Sequence, residues 1–158
     1  MDIYEFLENH NVTYQRYDHP AVYTVAEADE LVPANDGAHT KNLFLRDKKD
    51  KRHLLLVAFA ETPVNLKELS ALLEISNLSL ASPERLLKHL GITPGAVSPL
   101  ALINDVDHLV EVVFERGVWE SAALSCHPLV NTATLVLPRA GIEQFLRATG
   151  HTVTLVNL

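Results

Sequence analysis

The sequence predicts an α+β fold with a mixed or largely antiparallel sheet. Three observations point there. Strand-type and helix-type segments follow one another without regular βαβ alternation, which disfavours a doubly wound parallel fold. Hydrophobic residues make up 47% of the 158 and charged residues 21%, ordinary values for a chain that buries about two thirds of its surface. One run, Leu54-Leu55-Leu56-Val57-Ala58-Phe59, is apolar without alternation, as expected of a central strand covered on both faces. No linker, repeat or composition break divides residues 1–158, which read as one domain.

The elements follow in order. Ile3, Tyr4, Phe6 and Leu7 form one stripe of a short helix, with Asp2 as its N-cap. Val12, Tyr14 and Tyr17 alternate as a strand that ends at His19-Pro20. Thr24 and Glu27 have capping-box spacing before the stripe Val25, Ala28, Leu31, Val32. Leu43-Phe44-Leu45 and the Leu54–Phe59 run make a hairpin around a charged turn. Asn65 caps a helix carrying Leu66, Leu69, Leu72 and Leu73. Ser82-Pro83-Glu84 opens another, closed by Gly91. A loop rich in Gly and Pro follows, Gly91 to Pro99. Leu109 to Phe114 reads as a strand closed by Arg116-Gly117, and Ala123–Cys126 and Thr132–Leu137 as two more. A helix over Ala140–Thr149 and a last strand at Val153–Leu155 complete the chain.

Composition excludes several classes. The single Cys126 rules out an intramolecular disulfide and a cysteine-cluster zinc site. The first ten residues hold Asp2, Glu5 and Glu8 and no basic residue, unlike a signal peptide. Apolar runs fall far short of the roughly 20 residues of a membrane helix. These features predict a cytoplasmic protein with no membrane partner. A net charge of −7 argues against a protein that coats nucleic acid non-specifically. Six of the 13 basic residues nevertheless lie between Lys41 and Arg52, on or beside the hairpin turn.

Gly-x-Gly-x-x-Gly, Walker and Gly-x-Ser-x-Gly motifs are absent. No two of the eight His stand three or four apart, so no metal site is expected. Cys126 and His127 are neighbours on a strand and cannot easily form a nucleophile pair, because adjacent strand residues point to opposite faces. Three features remain. Lys41, at the entrance of an apolar strand, either snorkels to solvent or points into a cleft as a fixed cation. Gly95-x-x-x-Pro99 is either a plain turn or a stiff loop whose amides approach a ligand. His127 and Asn131 flank a bend containing Pro128.

Together these segments resemble the prolyl-tRNA editing family, whose free-standing members share a fold with the editing domain inserted in bacterial prolyl-tRNA synthetases. The carriers are Tyr23-Thr24-Val25-Ala26-Glu27-Ala28, His39-Thr40-Lys41-Asn42-Leu43-Phe44-Leu45, Ala81-Ser82-Pro83-Glu84-Arg85-Leu86, Gly95-Ala96-Val97-Ser98-Pro99, Leu102-Ile103-Asn104-Asp105 and His127-Pro128-Leu129-Val130-Asn131-Thr132-Ala133-Thr134. The resemblance spans nearly the whole chain and implies a curved, barrel-like mixed sheet flanked by helices. Lys-Asn-Leu-Phe and His-Pro-Leu-x-Asn are most similar to the branch that hydrolyses alanyl-tRNA(Pro), not the cysteinyl branch.

That resemblance implies Lys41 as the central cation, amides of the Gly95 loop holding the substrate carbonyl, and His127 positioning the aminoacyl end. A terminal ribose hydroxyl would replace a protein base. Asn42 and Asn131 are the expected partners of Lys41 or the ribose, and Phe44 and Cys126 the expected pocket walls. No cofactor is implied. The expected partner is the acceptor end of tRNA(Pro), with Arg46, Lys48, Lys49, Lys51 and Arg52 as phosphate contacts. Prolyl-tRNA synthetase is an optional partner. A pocket built for proline cannot strongly reject a smaller residue, since one methylene is worth only about 1–3 kcal/mol. A second, smaller pocket therefore removes the error. Two other readings stay open: the same fold acting on Cys- or Ser-tRNA, and a non-catalytic module that holds tRNA or docks on a synthetase.

Overall fold

The computed structural model describes residues 2–158. Side-chain caps start the first four helices. Asp2 accepts the Tyr4 amide at 2.7 Å to open α1 (Ile3–Asn9), and Thr24 accepts the Glu27 amide to open α2 (Val25–Leu31). Asn65 opens α3 (Leu66–Leu73) and Ser82 opens α4 (Pro83–Leu90), which Gly91 ends at φ +66°. A short helix α5 (Arg116–Trp119) and the longer α6 (Arg139–Thr149) complete the set.

Eight strands form two sheets. The larger has the order β4 (Ser79–Leu80), β2 (Thr40–Arg46), β3 (His53–Phe59), β5 (Val110–Glu115), β8 (Val153–Val156). Its β4-β2-β3 part is antiparallel, and β3-β5-β8 is parallel. The smaller sheet, β1 (Gln15–Asp18), β7 (Ala133–Pro138), β6 (Ala123–Cys126), is wholly antiparallel. The mixed α+β class is therefore as the sequence predicts.

β3 is central and covered on both faces. Leu55 and Val57 enter the main core between the sheets, with Leu7, Leu90, Phe114, Leu135 and Phe145. Leu54 and Leu56 point the other way, into a second core that includes Leu69 of α3. The same alternation sorts β2. Phe44 belongs to the main core, while Leu43 and Leu45 face α3.

Two expectations need correction. The barrel-like closure does not form: the sheets stay separate, joined by an isolated parallel bridge between Ala38 and Leu124. β4 covers only the Leu45–Arg46 end of the outer edge of β2, so the Thr40 end stays open. Arg116-Gly117 does not simply close a strand; it opens α5, where an added Cβ on Gly117 would press on the Phe59 ring at 2.8 Å.

Candidate active site

The open end of β2 meets the ends of β6 and β7 across the seam between the sheets. There lies a cavity of about 80 Å³, lined by Thr40 and Asn42 of β2, Ser125 and Cys126 of β6, His127 just beyond that strand, and Thr134 of β7. α2 roofs it with Val25, Ala28 and Asp29. His39 and Asp29, 3.2 Å apart, tie the roof to the entrance of β2. Gly37 lets the chain pass, since a Cβ there would collide with Ser125 Oγ.

Three polar groups of the wall, His127, Thr134 and Ser125, have committed their protons elsewhere. His127 Nδ1 sits 3.1 Å from the Ala133 carbonyl, which can only accept, so Nδ1 carries the proton and Nε2 the lone pair. Burial pushes the His127 pKa below its ordinary value and keeps this neutral form; nearby His19 acts in the same direction, against the Ala133 hydrogen bond. His19 Nδ1 donates to the Pro20 carbonyl at 2.8 Å, so its Nε2 accepts from the Thr134 hydroxyl, also at 2.8 Å. Ser125 Oγ donates to Asn35 Oδ1 at 3.1 Å. Asn42 Oδ1 is buried with no hydrogen-bond partner among the described residues. The cavity therefore presents several acceptors, beside the Thr40 hydroxyl and the Asn42 amide nitrogen, with the Asp29 carboxylate at its mouth. A bound group that donates protons, above all an ammonium, would satisfy it.

Cys126 is 2% exposed, and burial pushes its thiol up to about 12. Such a thiol is a wall residue rather than a nucleophile.

The structure brings together only some of the residues singled out from sequence. Asn42, Cys126 and His127 line the cavity. Asn131 and Gly95 are not among the lining residues. Asn131 donates Nδ2 to the Val22 carbonyl at 2.9 Å, and an added Cβ on Gly95 would lie 3.0 Å from both Asn131 Nδ2 and the Tyr23 ring. Phe44 is not in the cavity wall. It is 5% exposed in the main core, stacked on His53 at 5.6 Å, because it sits one pleat further along the buried face. Lys41 lies between two lining residues, Thr40 and Asn42, but pleats to the side of Leu43 and Leu45. It is half-buried at the rim and makes no ion pair among the described residues.

The basic turn lies at the other end of the hairpin, about 20 Å from Lys41 at roughly 3.3 Å per strand residue. Arg46 pairs with Asp50 at 2.8 Å, and Arg52 grips Glu111 with two bonds of 2.8 and 2.6 Å. Lys48, Lys49 and Lys51 are exposed and unpaired among the described residues.

Sequence reasoning missed His19, Thr134, Ser125 and Asn35. The β1–β7 pairing, with Tyr17 opposite Thr134 and Asp18 opposite Ala133, carries His19 to the cavity across 115 positions. Its only local signal was a His-Pro step at a strand end. No group of three or more His, Cys, Asp or Glu among the described residues is placed to hold a metal ion, and no helix there is long and apolar enough to cross a membrane.

Comparison with known proteins bears on the same site. Residues 19–145 match the model of the aminoacyl-tRNA editing domain. The chain belongs to that family. It is thereby an aminoacyl-tRNA deacylase, a hydrolase of tRNA editing, and the matched span contains every lining residue of the cavity. The chain is 37% identical over 152 residues to the prolyl-tRNA editing protein ProX of Acetoanaerobium sticklandii, covering 96% of this chain and 93% of that protein. It is also 37% identical over 158 residues to prolyl-tRNA synthetase associated domain-containing protein 1 of Danio rerio, covering 99% and 85%. Its fold matches the crystal structure of a candidate trans-editing enzyme for prolyl-tRNA synthetase, with a TM-score of 0.68, 16% identity and coverage of 99% and 95%.

Proposed function

We propose that residues 1–158 form one trans-editing domain that hydrolyses alanyl-tRNA(Pro) and spares prolyl-tRNA(Pro) in the cytoplasm. The carrying observation is the small cavity with the buried, unpartnered Asn42 Oδ1 and further acceptors in its wall. Alanine brings a methyl group and a primary ammonium with three protons. Those protons match Asn42 Oδ1, the Thr134 hydroxyl oxygen and His127 Nε2. Proline brings a ring and an ammonium with one fewer proton, and a packed wall resists even one added methylene.

Chemistry then needs little from the protein. A water oxygen attacks the ester carbonyl carbon, and negative charge grows on the carbonyl oxygen. The bond to the ribose oxygen breaks, and that oxygen takes a proton, leaving free alanine and tRNA. Lys41, a half-buried cation with no carboxylate to neutralise it, is assigned to the growing charge, which its flexible four-carbon stem reaches round the open edge of β2. Amides of the Gly95 loop and Asn131 hold the carbonyl and ribose side, and Cys126 forms the wall. A terminal ribose hydroxyl relays the proton, because the cavity offers no free carboxylate base deep inside.

Lys48, Lys49 and Lys51 are assigned to phosphates of the acceptor stem, at a distance from the terminus that their end of the hairpin dictates; Arg46 and Arg52 would first have to leave their carboxylates. The Danio rerio relative is named for association with prolyl-tRNA synthetase, and the same partner is proposed here. The test is a panel of labelled aminoacyl-tRNAs under single-turnover conditions. Alanyl-tRNA(Pro) should be deacylated while prolyl-tRNA(Pro) persists. Equal rates on both would sink the size filter, and preference for cysteinyl- or seryl-tRNA would move the specificity elsewhere in the family.

A further inference from the structure

Tyr23 is the one aromatic residue among the exposed large hydrophobics, at 71% exposure, and no hydrogen bond holds its hydroxyl among the described residues. An isolated exposed apolar side chain needs no explanation. This one is held in place. The preceding residue, Val22, is 2% exposed, and its backbone is clamped by two bonds to Asn131: Val22 N–H donates to the Asn131 carbonyl at 3.2 Å, and Asn131 Nδ2 donates to the Val22 carbonyl at 2.9 Å. The ring lies over Gly95, where an added Cβ would meet Cδ1 at 3.0 Å and Cε1 at 3.2 Å. Missing Cβ and clamped backbone together fix an aromatic ring with much of its surface bare. Val130, 48% exposed, is next to the clamping Asn131.

The ring is also close to the reaction. Val25, two residues on, roofs the cavity, and two residues span at most about 7 Å. Any aminoacyl ester of RNA carries its terminal nucleobase on the same nucleoside as the ester. With the amino acid in the cavity, the base must rest within one nucleoside of its mouth.

We propose that Tyr23 is the stacking platform for the terminal nucleobase of the aminoacylated RNA, backed by Gly95 and held by the Asn131 clamp. Stacking fixes the ribose and so aims the ester into the seam, with no base-edge readout. This assignment rests on the aminoacyl-RNA reading above. Aromatic stacking on a base is strong enough that removing the ring should weaken binding by about tenfold or more.

The test uses the full chain and an RNA hairpin copying the tRNA acceptor stem, with fluorescent 2-aminopurine as its terminal base. Wild type and Tyr23→Phe should quench the probe and bind alike, whereas Tyr23→Ala should lose the quench. With the alanylated hairpin, Tyr23→Ala should raise the half-saturating protein concentration about tenfold. An alanylated hairpin abasic at the terminal nucleotide should erase the difference between wild type and Tyr23→Ala. Unchanged half-saturation in Tyr23→Ala, or an undiminished difference on the abasic hairpin, overturns the platform. Failure of the wild type to cleave any alanyl ester strikes the editing reading instead, and quenching of the uncharged hairpin reports on Tyr23 in either case.

Discussion

Two histidine clusters in this fold keep opposite hydrogen-bond accounts. Near the end of α6, the buried Asp105 carboxylate accepts the Leu109 amide at 3.0 Å, the Val110 amide at 2.9 Å and His151 Nε2–H at 2.8 Å. The other nitrogen of His151 lies 2.8 Å from Thr149 Oγ1, and His108 Nε2 donates to the Thr149 carbonyl. No atom of the Asp105–His151 pair lacks a partner. At the seam between the sheets, His127 Nε2 makes no hydrogen bond among the described residues, and Asn42 Oδ1, in the same cavity lining, is buried without a partner. A closed network pins chain segments together. An unfinished one carries a standing cost that a ligand can relieve. Function is therefore sought where the hydrogen bonding stops short, not where it is most elaborate.

The largest expected effects break the closed side. Asp105→Ala should cost about 3–5 kcal/mol, because it leaves His151 and two amides buried without their acceptor. Urea denaturation measures the loss, and the folded fraction should deacylate at the wild-type rate. Reduced activity at undiminished stability would make the closed cluster functional. Phe44→Ala should cost a similar amount, about 3–5 kcal/mol, through the cavity it leaves in the core. Its ratio of alanine to proline hydrolysis should equal that of wild type; a shifted ratio would return Phe44 to the pocket wall.

On the open side, Lys41→Ala should fold normally and lose more than nine tenths of the deacylation rate, at least about 1.4 kcal/mol of transition-state stabilisation. A mutant that keeps more than a tenth of the rate removes Lys41 from the chemistry.

A smaller effect is read from pH. Burial lowers the pKa of His127, and it also lowers those of His53 and His89, whose tilted rings lie 4.1 Å apart. A base held below its unfolded value contributes stability that is full above about pH 6.5 and is lost as pH falls below it, because the unfolded chain then binds more protons. Melting temperature should therefore decline below about pH 6.5. His127→Gln should flatten part of that decline. Identical slopes in wild type and His127→Gln would mean that His127 titrates normally.

These contrasts also show what was legible beforehand. The caps Asp2, Thr24, Asn65 and Ser82 act two or three residues away, so the helices they open could be read locally. The Leu54–Phe59 run announced a doubly covered strand, and β3 is one. β4, two residues long, gave no pattern to read. The seam depends on pairings between distant segments: β1 with β7, and Ala38 with Leu124. No local signal encodes them, which is why His19 and Thr134 went unnoticed while Asn42 and His127 did not. The phase of Lys41 was available in the alternation with Leu43 and Leu45. The pull of a demanding motif favoured the lysine together with Phe44, whereas strand geometry divides them.

The most direct test of the ammonium assignment replaces the ammonium and nothing else. Lactyl-tRNA(Pro) has the methyl group and ester of alanyl-tRNA(Pro), with a hydroxyl in place of the ammonium. Single-turnover rates on the two, each divided by its spontaneous hydrolysis rate, should differ by about tenfold or more, since hydrogen bonds to a charged group are worth roughly 1.5–3 kcal/mol. Equal normalised rates would show that the seam does not read the ammonium, and would contradict the assignment of Asn42, Thr134 and His127 to it.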